Sequence, residues 1–237
     1  MLTYTPYMLM PLLSGVVCAA LAVYAGYYWR VPAARRLCLL MVVMSAWAFD
    51  FALNLSFTDI GPKVFLTQIG TVCAQLVGLA MIALSLDLTG NGGWLKPRRL
   101  AALFVMPVAV AVLSFTSGRH DLFMHAFSIG GDASISVLLW ESGPLFTFHY
   151  LYLLCAIVVA SGLYVSALVR ASSRERARYI LLVSVTALPI AVDLLSLTPV
   201  KGLRMLHSTF WIVGIAYTIA IARYNLIDLV PVARRTL

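Results

Sequence analysis

Charge is scarce in this 237-residue sequence: Asp, Glu, Lys and Arg together make up 11%, against 62% hydrophobic residues. With a mean hydropathy of +0.95, the chain has too little polar surface to wrap a water-soluble globule. Lysine is scarcer still. Lys63, Lys96 and Lys201 all sit outside the middles of the apolar runs, so the Schiff-base lysine that a retinal pigment needs in its last helix is missing. The strings HExxH and GxSxG do not occur, which removes the zinc-protease and nucleophile-elbow hydrolase readings. Cys18, Cys38, Cys73 and Cys155 lie inside apolar runs without CxxC spacing and read as buried reduced thiols. There is no internal repeat, low-complexity tract or soluble domain. No cofactor is called for, and the chain reads as a non-enzyme.

What is present is a series of long apolar runs, each close to the roughly 20 residues a helix needs to cross a bilayer. The runs are continuous rather than alternating, which argues for helices and against a barrel. Seven spans are expected: Tyr7 to Tyr28, Leu37 to Phe57, Val64 to Leu86, Leu100 to Thr116, Pro144 to Val169, Tyr179 to Leu197 and Leu206 to Ala222. The fold class is therefore an all-α membrane protein, a seven-transmembrane helix bundle over residues 1–223 with an exit segment at 224–237. Of the 17 basic residues, 13 fall on one set of faces, including Arg30, Arg35, Arg36, Lys96 and Arg170; Lys63, Arg119, Lys201 and Arg204 fall on the other. Basic residues near span ends are retained in the cytoplasm, so the N-terminus is expected outside and the C-terminus inside. The formal charge of +8 expresses this asymmetry and an attraction to membrane lipids rather than a nucleic-acid partner.

Ionisable groups within a membrane are costly and normally face the bundle interior. The candidates are Asp50 with Asn54, Gln68 with Gln75, His149 with Tyr150, Asp193 and His207. Asp50 and Asn54, at i and i+4, share one face of the second span, while Gln68, Thr71 and Gln75 stack along one face of the third. In the N-out topology these groups fall mostly in outer halves, and all four histidines lie on the outer side. The expectation is a polar pocket opening outward, roofed by the Ser117 to Gly143 loop, above a nearly apolar inner half. The competing account treats the same residues as interhelical hydrogen bonds worth about 1 kcal/mol each. No metal is expected, because His120, His125, His149 and His207 show no HxxxH spacing; a pH-sensing role for them stays open. Pro107 and Pro189 fall inside spans, where a lost backbone bond can kink a helix. A small-molecule or ion transporter is the alternative reading, although the repeated halves and broken helices of that class are not evident.

The tail Arg223-Tyr224-Asn225-Leu226-Ile227-Asp228-Leu229-Val230-Pro231-Val232-Ala233-Arg234 resembles the exit from the last span in the seven-transmembrane N-terminal region of bacterial sensor histidine kinases. Further matches follow in order: Trp47, Gln68-Ile69-Gly70, Asp87-Leu88-Thr89-Gly90, Phe115-Thr116-Ser117 through His120-Asp121-Leu122-Phe123, and Gly143-Pro144 through His149-Tyr150-Leu151-Tyr152. The resemblance covers essentially the whole chain. It departs from the family pattern at Asn54, where an acid is expected, and at Asp193, where an asparagine is expected.

The resemblance implies a sensor domain of the bacterial inner membrane that receives an outer or membrane-borne signal and passes it to a cytoplasmic output module expected beyond Leu237. On this reading an unknown small-molecule ligand contacts Asp50, Asn54, Gln68, Gln75, His149, Tyr150, Asp193 and His207. The seventh span carries the change inward through Arg223, Tyr224, Asp228, Pro231 and Arg234. A homodimer is expected because kinase outputs work in pairs; the small-residue faces Gly15 with Ala19 and Ala22 with Gly26 do not by themselves establish it.

Overall fold

The computed structural model of the protein describes residues 2–132, 135–196 and 206–223. Among them run seven α-helices: α1 (Leu9–Tyr27), α2 (Pro32–Ser56), α3 (Ile60–Leu88), α4 (Pro97–Phe115), α5 (Phe146–Arg170), α6 (Ser173–Ser196) and α7 (Phe210–Arg223). Among the described residues five helices, α1 to α5, are long and apolar enough to cross a membrane, and the apolar stretch of α7 is shorter. The first turns of α6 hold Glu175, Arg176 and Arg178, which lowers its apolar character although it is 24 residues long. Pro32 and Pro97 start α2 and α4, where the missing N–H is no loss and the fixed φ suits the helix. Thr89-Gly90-Asn91 ends α3 in a Schellman turn: Gly90 takes the left-handed conformation (φ 77°), and the Asn91 N–H donates to Leu86 O at 2.8 Å.

Helix α3 is the centre of the bundle. Neighbouring helices close a ring in the order α1, α2, α3, α5, α6, α7 and back to α1, and α4 stands outside it against α3 and α5. Two-thirds of the apolar window of α3 is buried (67%), compared with 17% for α4. The outer circumference shows Val16, Val23, Val42, Val105, Val108 and Val158 to the surroundings, a surface suited to lipid tails. Pro107 sits inside α4 without ending it.

The α1–α2 seam uses the small residues of α1. A β-carbon at Gly15 would come within 2.8 Å of the Phe49 ring, the Ser45 hydroxyl donates to Gly15 O at 2.9 Å, and Gly26 faces Cys38. Cys18, Ala22 and Ala25 are buried in the same core with Leu37, Leu40 and Met41. Gly15, Ala22 and Gly26, candidates for a dimer face, are thus taken up by packing within the chain.

The Ser117 to Gly143 segment, expected as a loop over an all-helical bundle, is an antiparallel hairpin of β1 (Met124–Asp132) and β2 (Ile135–Ser142). Its register shifts between His125 and Ser128, where Ala126 adopts a positive φ of 50°, a bulge that bends the ribbon. Phe123 and Met124 are fully buried against Val110 of α4 and Phe146 of α5, with Phe127 and Trp140 packed alongside. The stem closes through Gly143 N–H to Phe123 O (2.8 Å) and Leu145 N–H to Leu122 O (2.9 Å). A β-carbon at Gly143 would lie 2.2 Å from Asp121 O, so only glycine fits.

Two outcomes test this arrangement. Gly143→Ala is expected to lower stability by about 2 kcal/mol, since the obstacle is backbone; a wild-type unfolding midpoint in detergent would show the stem to be looser than described. Leu139, half exposed on the hairpin, is expected to react as Leu139→Cys with an impermeant maleimide on intact cells. Labelling only after permeabilisation would reverse the orientation.

Candidate functional site

The polar stripes of α2 and α3 meet near the hairpin end. Asp50 is 8% exposed and packs directly onto α3 at Gly70, where a β-carbon would stand 2.7 Å from Oδ2. Its Oδ1 is buried and has no hydrogen-bond partner among the described residues. One turn on, Asn54 Nδ2 donates to Lys63 O and to Thr67 Oγ1, both at 3.0 Å. Lys63 Nζ returns a bond to Asn54 O at 2.6 Å and reaches across to Ser136 O of β2 at 2.8 Å.

Lys63 is a buried charged residue of this region that the sequence pattern does not single out. It was expected outside the spans, yet it lies in the first turn of α3 with 0% exposure. Its acceptors in the structure are backbone carbonyls. Asn54 lies in the last turn of α2, where carbonyls lack helical partners and carry the negative end of the helix dipole. A buried ammonium there satisfies the end of α2 and pins the hairpin with the same atom. Asn54 and Lys63 are nine residues apart across a short turn, which is the only sequence signal of the pairing.

The other expected residues divide by neighbour. Gln68 Nε2 donates to Ser117 Oγ at 3.2 Å, joining α3 to the base of the hairpin segment. Gln75 faces α5 instead, hydrogen-bonded to the His149 ring and, at 3.2 Å, to His149 O; its Oε1 is buried without a partner among the described residues. The His149 ring lies against Phe123 and Phe146. Tyr150 is 42% exposed and meets this group only through ring edges on Phe146 and His149. His207, just before α7, stacks on Phe51 (4.1 Å, 14°) and meets Trp47 edge-on at 4.8 Å. The histidines of the hairpin segment have local contacts: His120 Nε2 with Thr116 Oγ1 at 2.9 Å and His125 with Glu141 across the strands at 3.4 Å.

Asp193 lies in α6, but its side chain is outside the described residues. Arg223 ends α7, and Tyr224, Asp228, Pro231 and Arg234 also lie outside them.

The half of the bundle opposite the hairpin, expected to be nearly apolar, is not. Arg36 of α2 pairs with Asp87 of α3 at 3.3 Å. Arg178 of α6 donates to Leu88 O at the end of α3 (2.7 Å) and stacks over Tyr179 at 4.7 Å. Deeper in, Thr186 of α6 and Tyr217 of α7 share a hydrogen bond of 2.6 Å beside the Tyr164 ring of α5, all three fully buried. Sequence pattern concealed them because a Tyr or Thr within an apolar run is indistinguishable from packing until its neighbour is known.

Residues 10–231 match the family described as the N-terminal 7TM region of histidine kinase. No curated protein matches the chain.

Lys63→Met keeps the length of the side chain and removes its N–H donors, taking a partner from the buried Asn54 O and from the part-buried Ser136 O. The expected loss is about 2 kcal/mol, with faster amide exchange through residues 124–142. Unchanged exchange in the hairpin would mean that Lys63 does not hold it.

Proposed function

Because the chain belongs to the family formed by the N-terminal 7TM region of histidine kinase, a multi-pass membrane sensor domain with a cytoplasmic output domain in its full-length members, we propose that it receives its signal at the hairpin end and relays it along α3 to α6 and α7. The receiver performs no chemistry of its own, sits in the bacterial inner membrane with the hairpin outside, and takes a small ligand among Asp50, Asn54, Gln68, Gln75, His149 and His207. The observation that carries the reading is the Lys63 bridge. One buried ammonium holds α2, α3 and the hairpin together, beside a buried carboxylate oxygen of Asp50 that lacks a partner among the described residues.

A ligand can shift an equilibrium only by its differential affinity for the two states. Hydrogen bonds contribute about 1 kcal/mol each, and about 1.4 kcal/mol is a tenfold shift, so exchanging one or two contacts at Lys63, Gln68 or Gln75 is enough. The route inward is physical: α3 is one 29-residue helix with Lys63 and Gln68 in its first half, Gln75 at its middle and Asp87 and Leu88 at its far end. Arg178 couples Leu88 O to α6, and Thr186 with Tyr217 couples α6 to α7. Homodimer formation and the role of Arg223, Tyr224, Asp228, Pro231 and Arg234 in handing the signal to an output domain belong to the same proposal.

The test uses the purified chain in nanodiscs, with mass spectrometry of bound small molecules and amide exchange across residues 210–223. Asp50→Asn is expected to reduce retention of a co-purified molecule about tenfold, the scale of losing a hydrogen bond to a charged group. Tyr217→Phe is expected to leave retention unchanged and to raise exchange in α7. Retention indifferent to Asp50→Asn and Gln75→Leu would sink the ligand site. Solute flux into proteoliposomes would favour a transporter.

A further inference from the structure

A cavity of about 200 Å³ opens at the end of the bundle opposite the hairpin, where the C-terminal turn of α3, the end of α5 and the start of α6 converge. Thr89 and Asn91 line it from the α3 turn, Ser166 and Arg170 from α5, Glu175 and Tyr179 from α6. None of these residues belongs to the receiving end, and the hairpin-side reading does not depend on them.

Size, place and charge narrow the occupant. The cavity is several times the ~30 Å³ share of one water and smaller than the roughly 300 Å³ at which drug-sized pockets begin, so a small polar group fits and a large ligand does not. It lies at the level where α5 leaves its apolar surface: Val165 and Val169, neighbours of Ser166 and Arg170, are exposed to the surroundings that suit lipid tails. A group reaching the cavity along that surface is a lipid headgroup. The lining then offers one cation and one anion. Arg170 makes no ion pair among the described residues, and Glu175 uses Oε2 to accept from the Ser172 N–H (3.3 Å) and hydroxyl (3.0 Å) at the start of α6. An anionic headgroup without an amine would satisfy Arg170 and leave the Glu175 carboxylate beside it without a counter-charge.

We propose that this cavity binds the headgroup of an aminophospholipid, the phosphate on Arg170 with the Ser166 hydroxyl as a hydrogen-bond donor, and the primary ammonium on Glu175. The arrangement is non-covalent and makes lipid a wedge between α5 and α6. Tyr179, which lines the cavity, and its neighbour Arg178 hold α6 to Leu88 O.

The purified chain in detergent is incubated with equal amounts of phosphatidylethanolamine, phosphatidylcholine and phosphatidylglycerol of matched acyl chains, and the lipid retained after washing is measured by mass spectrometry. Phosphatidylethanolamine is expected in excess of each of the others by up to about fivefold, the scale of one half-exposed ion pair. The quaternary amine of phosphatidylcholine has no N–H for Glu175. Arg170→Ala and Glu175→Gln should each remove the preference. Ser166→Leu fills the cavity from an exposed position without touching either charge or the α6 cap; it should remove the preference at an unchanged unfolding midpoint. Equal or greater retention of phosphatidylglycerol would reduce the site to a basic surface and overturn the proposal. A preference that survives Ser166→Leu would place the lipid elsewhere, and equal competition by soluble glycerophosphoethanolamine would show that the occupant is not a lipid.

Discussion

Hydrocarbon offers no hydrogen-bond partner, so each polar group taken into it must be matched by another part of the protein or stay unsatisfied at a cost of several kcal/mol. The architecture around α3 follows from that constraint. Asn54 and Lys63 satisfy each other's backbone reciprocally, Gln68 finds Ser117, and Gln75 finds His149. Each of these pairs ties α3 to a different neighbour, and α3 has the largest buried share of the five long apolar helices. Asp50 Oδ1 and Gln75 Oε1 are among the buried side-chain atoms left without a partner among the described residues.

Close approach supplies what the polar pairs do not. Gly15 admits Phe49, Gly70 admits Asp50 and Trp47, Gly78 admits Ala156, and Gly214 admits Leu21 and Met41. Small residues in membrane helices commonly mark contacts between helices, and here their partners are helices of the same chain. A dimer of this domain therefore has to form on surfaces other than the Gly15 and Gly26 stripe. Helix α7, whose last residue leads toward the exit segment, is seated by the same device: Gly214 lets it lie against α1 and α2, and Tyr217 binds it to α6.

A sensor needs two arrangements of similar free energy, and the distribution of contacts suggests where they differ. The hairpin end is held by few, strong and replaceable bonds: the Lys63 ammonium, the Gln68 amide and an aromatic cluster around Phe123. The opposite end is held at the α3 terminus, where Arg36 from α2 and Arg178 from α6 both converge on Asp87 and Leu88. Helix α3 joins the two ends as one continuous helix of 29 residues, and the carbonyl of Leu88 ties its far end to α6. Full-length members of the histidine-kinase 7TM family carry a cytoplasmic output domain.

The helical membrane class and the family were legible in the chain because each rests on a local or additive property: run length against bilayer thickness, and an ordered set of short motifs. Asp50 and Asn54 on one face of α2, and Gln68 and Gln75 on one face of α3, were legible for the same reason, since helical periodicity places them. The hairpin was passed over although Gly130-Gly131-Asp132 stands between β-forming runs, because its length suggested a loop. Lys63, Arg178, Thr186 and Tyr217 were not legible at all. Whether a lysine at a helix start reaches water or a buried carbonyl depends on what another element places above it; here that is Ser136, 73 residues away. Sequence by itself determined which segments enter the membrane and which of their faces turn inward. Only the tertiary structure decided which polar groups meet, because a hydrogen bond between helices depends on rotation and depth that no single helix carries in its own pattern.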